Sequence, residues 1–293
     1  MAFQATRPVG EGSKLAIVAP AGPFNLEAFE AGVSWLRERY EISYSEEIFS
    51  KCGYFAGTDE RRLAEIRNAV EDPEIDGILC ARGGYGTTRL LPNIDIQSLA
   101  AANKTIIGFS DITALHSAWA RAGVRSVHAP MVAALGNAPE PVKNDWIEAV
   151  EGTGNHSPHQ LEVLCRGSAS GRLSGGNLAV LAALTGTPFM PPLEGTILFL
   201  EDVGERPYRI DRMLTSMAQS GWFQNIAGLV LGAFTEGDPG PDGVSIDNVL
   251  EDQFGCSPFP VVRGLSAGHV KDNVPLPFGS TASVENGQLL FAH

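Results

Sequence analysis

Three short segments carry the side chains most able to do chemistry: Ile107-Gly108-Phe109-Ser110-Asp111, Leu200-Glu201-Asp202 and Ser266-Ala267-Gly268-His269. In chain order they supply Ser110, Glu201 and His269, the three side-chain types of a hydrolytic triad. A serine hydroxyl is a weak nucleophile until an imidazole takes its proton. The imidazole in turn needs a carboxylate to fix its tautomer and stabilise its charged form. Each residue also has a plainer reading. Ser110, between an apolar run and a helix start, suits an ordinary N-cap, and Gly-Phe-Ser-Asp lacks the second glycine of a Gly-x-Ser-x-Gly elbow. Glu201 and Asp202 end an apolar run, where carboxylates are commonly solvated. Of six histidines, His269 alone sits in a glycine-bounded loop of the second half. His116 and His128 read as packed or surface residues, His156 and His159 fall in a presumed linker, and His293 is terminal.

Arg82-Gly83-Gly84-Tyr85-Gly86-Thr87 follows the apolar run Gly77 to Ala81. It fails as a dinucleotide fingerprint, because Arg89 stands at the third glycine position. Glycines at a strand end build a tight turn or let backbone amides approach a ligand. The Gly84 N–H and the N–H of Asp111, the residue after Ser110, are therefore candidates for an oxyanion hole. Holding an anionic ligand group in an acidic protein takes a deliberately placed cation or a cluster of N–H donors. Arg82 is the arginine nearest the glycine turn and a candidate clamp; the alternative is an ion pair with a surface acid. No histidines or cysteines have metal-ligand spacing, so neither a metal nor a cofactor is expected.

Positioning these groups requires an ordered scaffold, and at 293 residues two domains are the expected size. The first part alternates. Strands are expected at 14–20, 77–81, 105–109 and 124–129, with a more exposed one at 40–49. Helices are expected at 26–39, from Thr58 or Asp59 to Glu71, and at 111–121. This spacing predicts an α/β, mostly parallel, doubly wound sheet over residues 1–136. Residues 137–170, rich in proline and glycine around one helix, read as a connection. Residues 171–293 read as a smaller β-rich domain, with strands at 196–200 and 227–233 and helices at 177–184 and 209–220. It ends in a hairpin through Asn286-Gly287. A net charge of −13 without a basic cluster argues against nucleic acid or an anionic membrane as partner. No apolar run reaches membrane-spanning length. Four cysteines without a pairing pattern, and an N-terminus without an apolar segment, point to the cytoplasm. Cys80 reads as a buried small hydrophobe.

Several segments together resemble the LD-carboxypeptidases (muramoyltetrapeptide carboxypeptidases). They are Gly83-Gly84-Tyr85-Gly86, Gly108-Phe109-Ser110-Asp111, His128-Ala129-Pro130-Met131, Gly175-Gly176-Asn177-Leu178, the block from Leu198 to Leu214, and Gly268-His269 with Asn273, Leu276 and Pro277. The match runs in order along nearly the whole chain, with Ala129 where the family pattern has glycine. The resemblance implies a Rossmann-like N-terminal domain carrying Ser110 as nucleophile. It implies a β-rich, barrel-like C-terminal domain carrying His269 as general base and acid and Glu201 as its orienter. It further implies a metal-free cytoplasmic homodimer whose small-molecule partner is a muropeptide. The reaction would release the terminal D-alanine of murein tetrapeptides by cutting an L,D-peptide bond. The related microcin-C immunity hydrolases, which act on a peptidyl-nucleotide, are the second enzyme reading. Against it, the Gly186 to Gly195 and Gly204 to Tyr208 stretches hold no tryptophan to stack a base. A two-domain binding protein without catalysis is the third, and it would not need all three triad members.

Overall fold

The first half of the chain runs β1 (Lys14–Val18), α1 (Leu26–Leu36), β2 (Glu41–Ser43), α2 (Asp59–Glu71), β3 (Gly77–Cys80), α3 (Ile96–Ala102), β4 (Thr105–Gly108), α4 (Thr113–Ala122), β5 (Ser126–His128), α5 (Val132–Leu135) and α6 (Glu140–Glu151). The structure, a computed structural model, describes residues 6–153 and 158–292. It divides into two compact units, Met1–Gly154 with Pro275–Pro277, and Asn155–Val274 with Phe278–His293.

In the first unit, β2, β1, β3, β4 and β5 pair in parallel in that spatial order. A late segment, Leu276–Phe278, adds beside β5. The helices start where side chains satisfy their first amides: Asn25 accepts from the Ala28 N–H and Thr58 from the Arg61 N–H. Alternate strand residues Leu15, Ile17, Leu79, Ile107 and Val127 face Phe29, Val33 and Leu36 of α1, with Leu135 of α5 and Trp146 of α6. Burying each such side chain contributes about 1.5–3 kcal/mol. Two segments differ from expectation. The strand expected at 40–49 is only three residues long, because Ser45 caps a single 3-10 turn over Glu46–Phe49. The first unit also runs past 136. α6 belongs to its core, with Trp146 fully buried, where the sequence suggested a connection.

The second unit continues with β6 (His159–Gln160), β7 (Glu162–Cys165), β8 (Ser168–Asn177), α7 (Leu178–Leu184), β9 (Thr196–Val203), α8 (Pro207–Gln219), β10 (Gly228–Thr235), α9 (Ile246–Phe254), β11 (Val261–Arg263), β12 (Leu276–Phe278, the strand given to the first sheet), β13 (Thr281–Glu285) and β14 (Gln288–Ala292). Its sheet has the order β6-β14-β13-β8-β9-β10-β11-β7. β8 to β11 are parallel and the rest antiparallel. Only Leu161 separates β6 from β7, although these strands stand at opposite ends of that order. The sheet must therefore curl until its edges adjoin, and the Leu161 N–H donates to the Gly287 carbonyl at 2.7 Å. The result is the barrel-like, β-rich domain expected. Asn286 and Gly287, at φ +51° and +81°, make the tight β13–β14 turn. Leu198 and Leu200 of β9 face the helices, packing with Leu178, Leu181, Ile210 and Leu214. The intervening Phe199 faces the other way and packs on Phe278, ring centroids 6.3 Å apart.

Candidate active site

In the first unit the chain leaves β4 extended at Phe109 and then turns sharply at Ser110, whose φ is +64°. A left-handed backbone at a non-glycine residue costs about 1–3 kcal/mol and persists only where its surroundings over-determine it. The turn lifts the half-buried Ser110 to the carboxyl end of a parallel strand, just before the single 3-10 turn Ser110–Ile112 and α4. Ser110 is therefore held as a strand-to-helix elbow, and the missing second glycine did not prevent it. Gly83 packs directly against it. A Cβ there would stand 3.0 Å from Ser110 Cβ and 3.2 Å from its Oγ. The Asp111 N–H lies in the first turn of the helical segment, where amides have no intrahelical acceptor. Gly84, at φ +118°, occupies the adjoining loop.

Asp111 is buried, and its carboxylate does not cap its own helix. It accepts from the N–H and hydroxyl of Thr87, each at 2.9 Å. Burial pushes the Asp111 carboxyl up, opposed by the bonds from Thr87. His116 and His128 are packed beneath the elbow. His116 Nε2 lies 2.8 Å from the Gly108 carbonyl, and burial drives its pKa down to about 4, so it is neutral at physiological pH. His128 packs edge-on to Phe109.

In the second unit, β9 ends in Glu201 and Asp202, and strand alternation sends the two carboxylates to opposite faces. Asp202 follows Leu198 and Leu200 to the helix side. It accepts from the Ala179 N–H at 2.9 Å and the Asn177 amide at 3.1 Å, holding the start of α7. Burial raises its pKa to about 6. Glu201, fully buried on the other face, lies with Oε2 2.8 Å from His269 Nδ1. That bond puts the imidazole proton on Nδ1 and leaves the basic lone pair on Nε2. Burial disfavours the charged imidazole, but the Glu201 hydrogen bond and the charges of Glu201, Asp202 and Glu236 outweigh it and raise the His269 pKa. Gly268, at φ +115°, is required here, because a Cβ would sit 2.5 Å from Glu201 Oε2. Its N–H donates to Asn273 Oδ1 at 2.8 Å, tying the loop together.

The structure thus brings Glu201 and His269 together in one unit, and builds Ser110, Gly84, Asp111 and Arg82 in the other. Arg82 is exposed and donates to the Pro23 carbonyl at 2.7 Å rather than to a surface acid. His159 packs on Phe291, while His156 and His293 lie outside the described residues. Cys80 is fully buried, and its thiol pKa is raised by that burial. Among the described residues, no group of three or more histidine, cysteine or acidic side chains could hold a metal. The Thr87–Asp111 link was not foreseen. Its partners are 24 residues apart and no local pattern joins them.

Comparisons with known proteins bear on both units. The family model for the LD-carboxypeptidase N-terminal domain matches residues 15–129, and that for the C-terminal domain matches 170–284. The chain is 33% identical over 290 residues to a murein tetrapeptide carboxypeptidase of Pseudomonas aeruginosa, covering 94% of each. It superposes on the crystal structure of muramoyltetrapeptide carboxypeptidase from Oxalobacter formigenes with a TM-score of 0.86 and 32% identity, covering 94% of this chain and 97% of that one. The microcin C7 self immunity protein MccF, in complex with aspartyl sulfamoyl adenosine, shares the fold at a TM-score of 0.89 and 21% identity, covering 99% and 98%.

Proposed function

We propose that this chain, which belongs to the LD-carboxypeptidase family, is a serine-type carboxypeptidase releasing the C-terminal D-alanine of murein tetrapeptides, and that Ser110, His269 and Glu201 are the residues that do it. The observation that carries the activity is the relation to the Pseudomonas murein tetrapeptide carboxypeptidase along nearly the full length of both chains. Support for the residues comes from the left-handed backbone at Ser110 and the 2.8 Å Glu201–His269 bond.

In this mechanism His269 Nε2 takes the Ser110 proton as Oγ attacks the carbonyl of the L,D-peptide bond. Negative charge develops on the carbonyl oxygen, for which the amides of Gly84 and Asp111 are the proposed donors. Collapse breaks the C–N bond, and the imidazolium gives its proton to the leaving amine of D-alanine. A water molecule, deprotonated by His269, then hydrolyses the Ser110 ester and regenerates the hydroxyl. Glu201 accepts the Nδ1 proton's hydrogen bond and stabilises the imidazolium throughout. We further place the enzyme in the cytoplasm as a homodimer. Its four free cysteines suit a reducing compartment, and among the described residues no helix is long and apolar enough to cross a membrane.

The direct test is incubation with a synthetic tetrapeptide ending in meso-diaminopimelate–D-alanine, with D-alanine followed by mass spectrometry. One equivalent of D-alanine per peptide is expected. No release, with hydrolysis of aspartyl sulfamoyl adenosine instead, would move the chain to the peptidyl-nucleotide reading. A second prediction concerns the carboxylate. Arg82 spends one of five N–H donors on Pro23, leaving the rest for a bidentate grip on the substrate's terminus. Amidating the terminal D-alanine is therefore expected to cut kcat/KM by about 10- to 100-fold, the loss of a charge-assisted bond. Equal rates for amide and acid would remove the clamp and favour an endopeptidase.

A further inference from the structure

We infer that Thr87 and the Asp111 carboxylate are positioning residues that set the spacing of the two oxyanion-binding amides. The inference rests on the proposal that Gly84 and Asp111 supply those amides. A loop containing Gly83, Gly84 and Gly86 has little rigidity of its own, since glycine restricts the backbone least. An oxyanion hole works only if its donors are fixed before the charge develops. Something outside the loop must therefore hold it.

The structure ties it on both sides of Gly84, and the Gly86 backbone also bonds the Asp111 carboxylate. Ahead of the donor, the Gly83 carbonyl accepts from the Gly22 N–H at 3.0 Å. Beyond it, Thr87 is fixed to Asp111 by its N–H and hydroxyl, both 2.9 Å from Oδ2, and its Oγ1 also lies 2.5 Å from the Asp111 carbonyl oxygen. Thr87 is 0% exposed and Asp111 3% exposed, so water does not compete for these bonds. The geometry is particular in one respect. The residue offering one candidate amide also grips, through its side chain, the loop offering the other. An acid after the nucleophile would ordinarily bond the first amides of its own helix. Here it reaches back 24 residues to the glycine loop instead. Ser110 is caught in the same assembly, because Gly83 lies against its Cβ.

The test measures two rates on wild type, Thr87→Val, Thr87→Ser and Asp111→Asn. One is D-alanine release from the tetrapeptide, resolved into kcat and KM. The other is labelling of Ser110 by a fluorophosphonate, which needs the hole but not the peptide. Valine keeps the shape of Thr87 and its amide but removes the hydroxyl. Thr87→Val is expected to lower kcat and the labelling rate together, by about 10²- to 10³-fold as for loss of one hole donor. KM and the pH inflection of kcat/KM should stay unchanged. Thr87→Ser, which keeps the hydroxyl, should recover both rates to within about threefold of wild type. Asp111→Asn keeps one acceptor oxygen and its amide, and should fall in between. Labelling of Thr87→Val at the wild-type rate overturns the inference. So does a Thr87→Ser variant as slow as the valine one, or a Thr87→Val defect confined to KM. If wild type is labelled but releases no D-alanine, the substrate reading fails, while the order of labelling rates still decides this inference. A wild type that takes up no probe overturns both.

Discussion

Ser110→Ala is expected to lower kcat by about four to six orders of magnitude, leaving only what binding and the oxyanion hole supply. Circular dichroism should show an unchanged fold, because the hydroxyl is not part of either hydrophobic core. Retention of more than about a tenth of activity, far above that residual, would reduce Ser110 to a helix-start residue. The left-handed backbone at φ +64° adds a second readout. Alanine keeps the strain, whereas glycine relieves about 1–3 kcal/mol of it and gives back about 0.5–1 kcal/mol through a looser unfolded chain. Ser110→Gly is therefore expected to be equally inactive yet to melt above Ser110→Ala. A glycine variant that melts below Ser110→Ala would mean that no strain is stored at the elbow, since only the looser unfolded chain would then remain.

His269→Ala is expected to be nearly as damaging as Ser110→Ala, and the double variant hardly worse than either, because the groups act as a unit. Glu201→Gln should keep the fold and lose about 10³- to 10⁴-fold in kcat, as when a triad carboxylate becomes an amide. The sign of the pH effect follows from His269. Its folded pKa is raised above the ordinary 6.5, and the imidazole must be neutral to take a proton. In wild type kcat/KM should therefore rise with pH through an inflection above 6.5. In Glu201→Gln the carboxylate charge is gone while burial remains, so the inflection should move down. An unmoved inflection would show that Glu201 does not set the histidine. Asp202→Asn should cost stability more than rate, since its contacts are with Asn177 and the start of α7. If it is the more harmful of the two to kcat, Asp202 is the orienting carboxylate.

Much of the first unit was legible because parallel strands buried on both faces read as short apolar runs, and glycine or proline ends them. Ser110 could be nominated from that pattern alone, but its left-handed φ could not. Period-two alternation along Leu198-Phe199-Leu200-Glu201-Asp202 would have separated the two carboxylates, had the strand been carried through to Val203. β8 was hidden for a physical reason. Ser-Ala-Ser-Gly-Arg-Leu-Ser-Gly-Gly-Asn has little strand propensity. Its glycines are there because another backbone passes close by, a Cβ at Gly175 falling 2.0 Å from the Phe199 carbonyl oxygen. α9 begins at a capping box in which Asn248 replaces the usual Glu or Gln. The Thr87–Asp111 link is a tertiary contact with no local trace.

The strand at Leu276–Phe278 has a consequence for how the protein is made. A ribosome delivers the five parallel strands of the first sheet within the first 128 residues, yet the strand that covers β5 is synthesised almost 150 residues later. Throughout that interval the nascent sheet presents the unpaired amides and carbonyls of an open parallel edge, the kind of surface that recruits other chains. The half that carries Ser110 is therefore born early and sealed late. Expressed by itself, without residues 275–277, it would carry that open edge permanently.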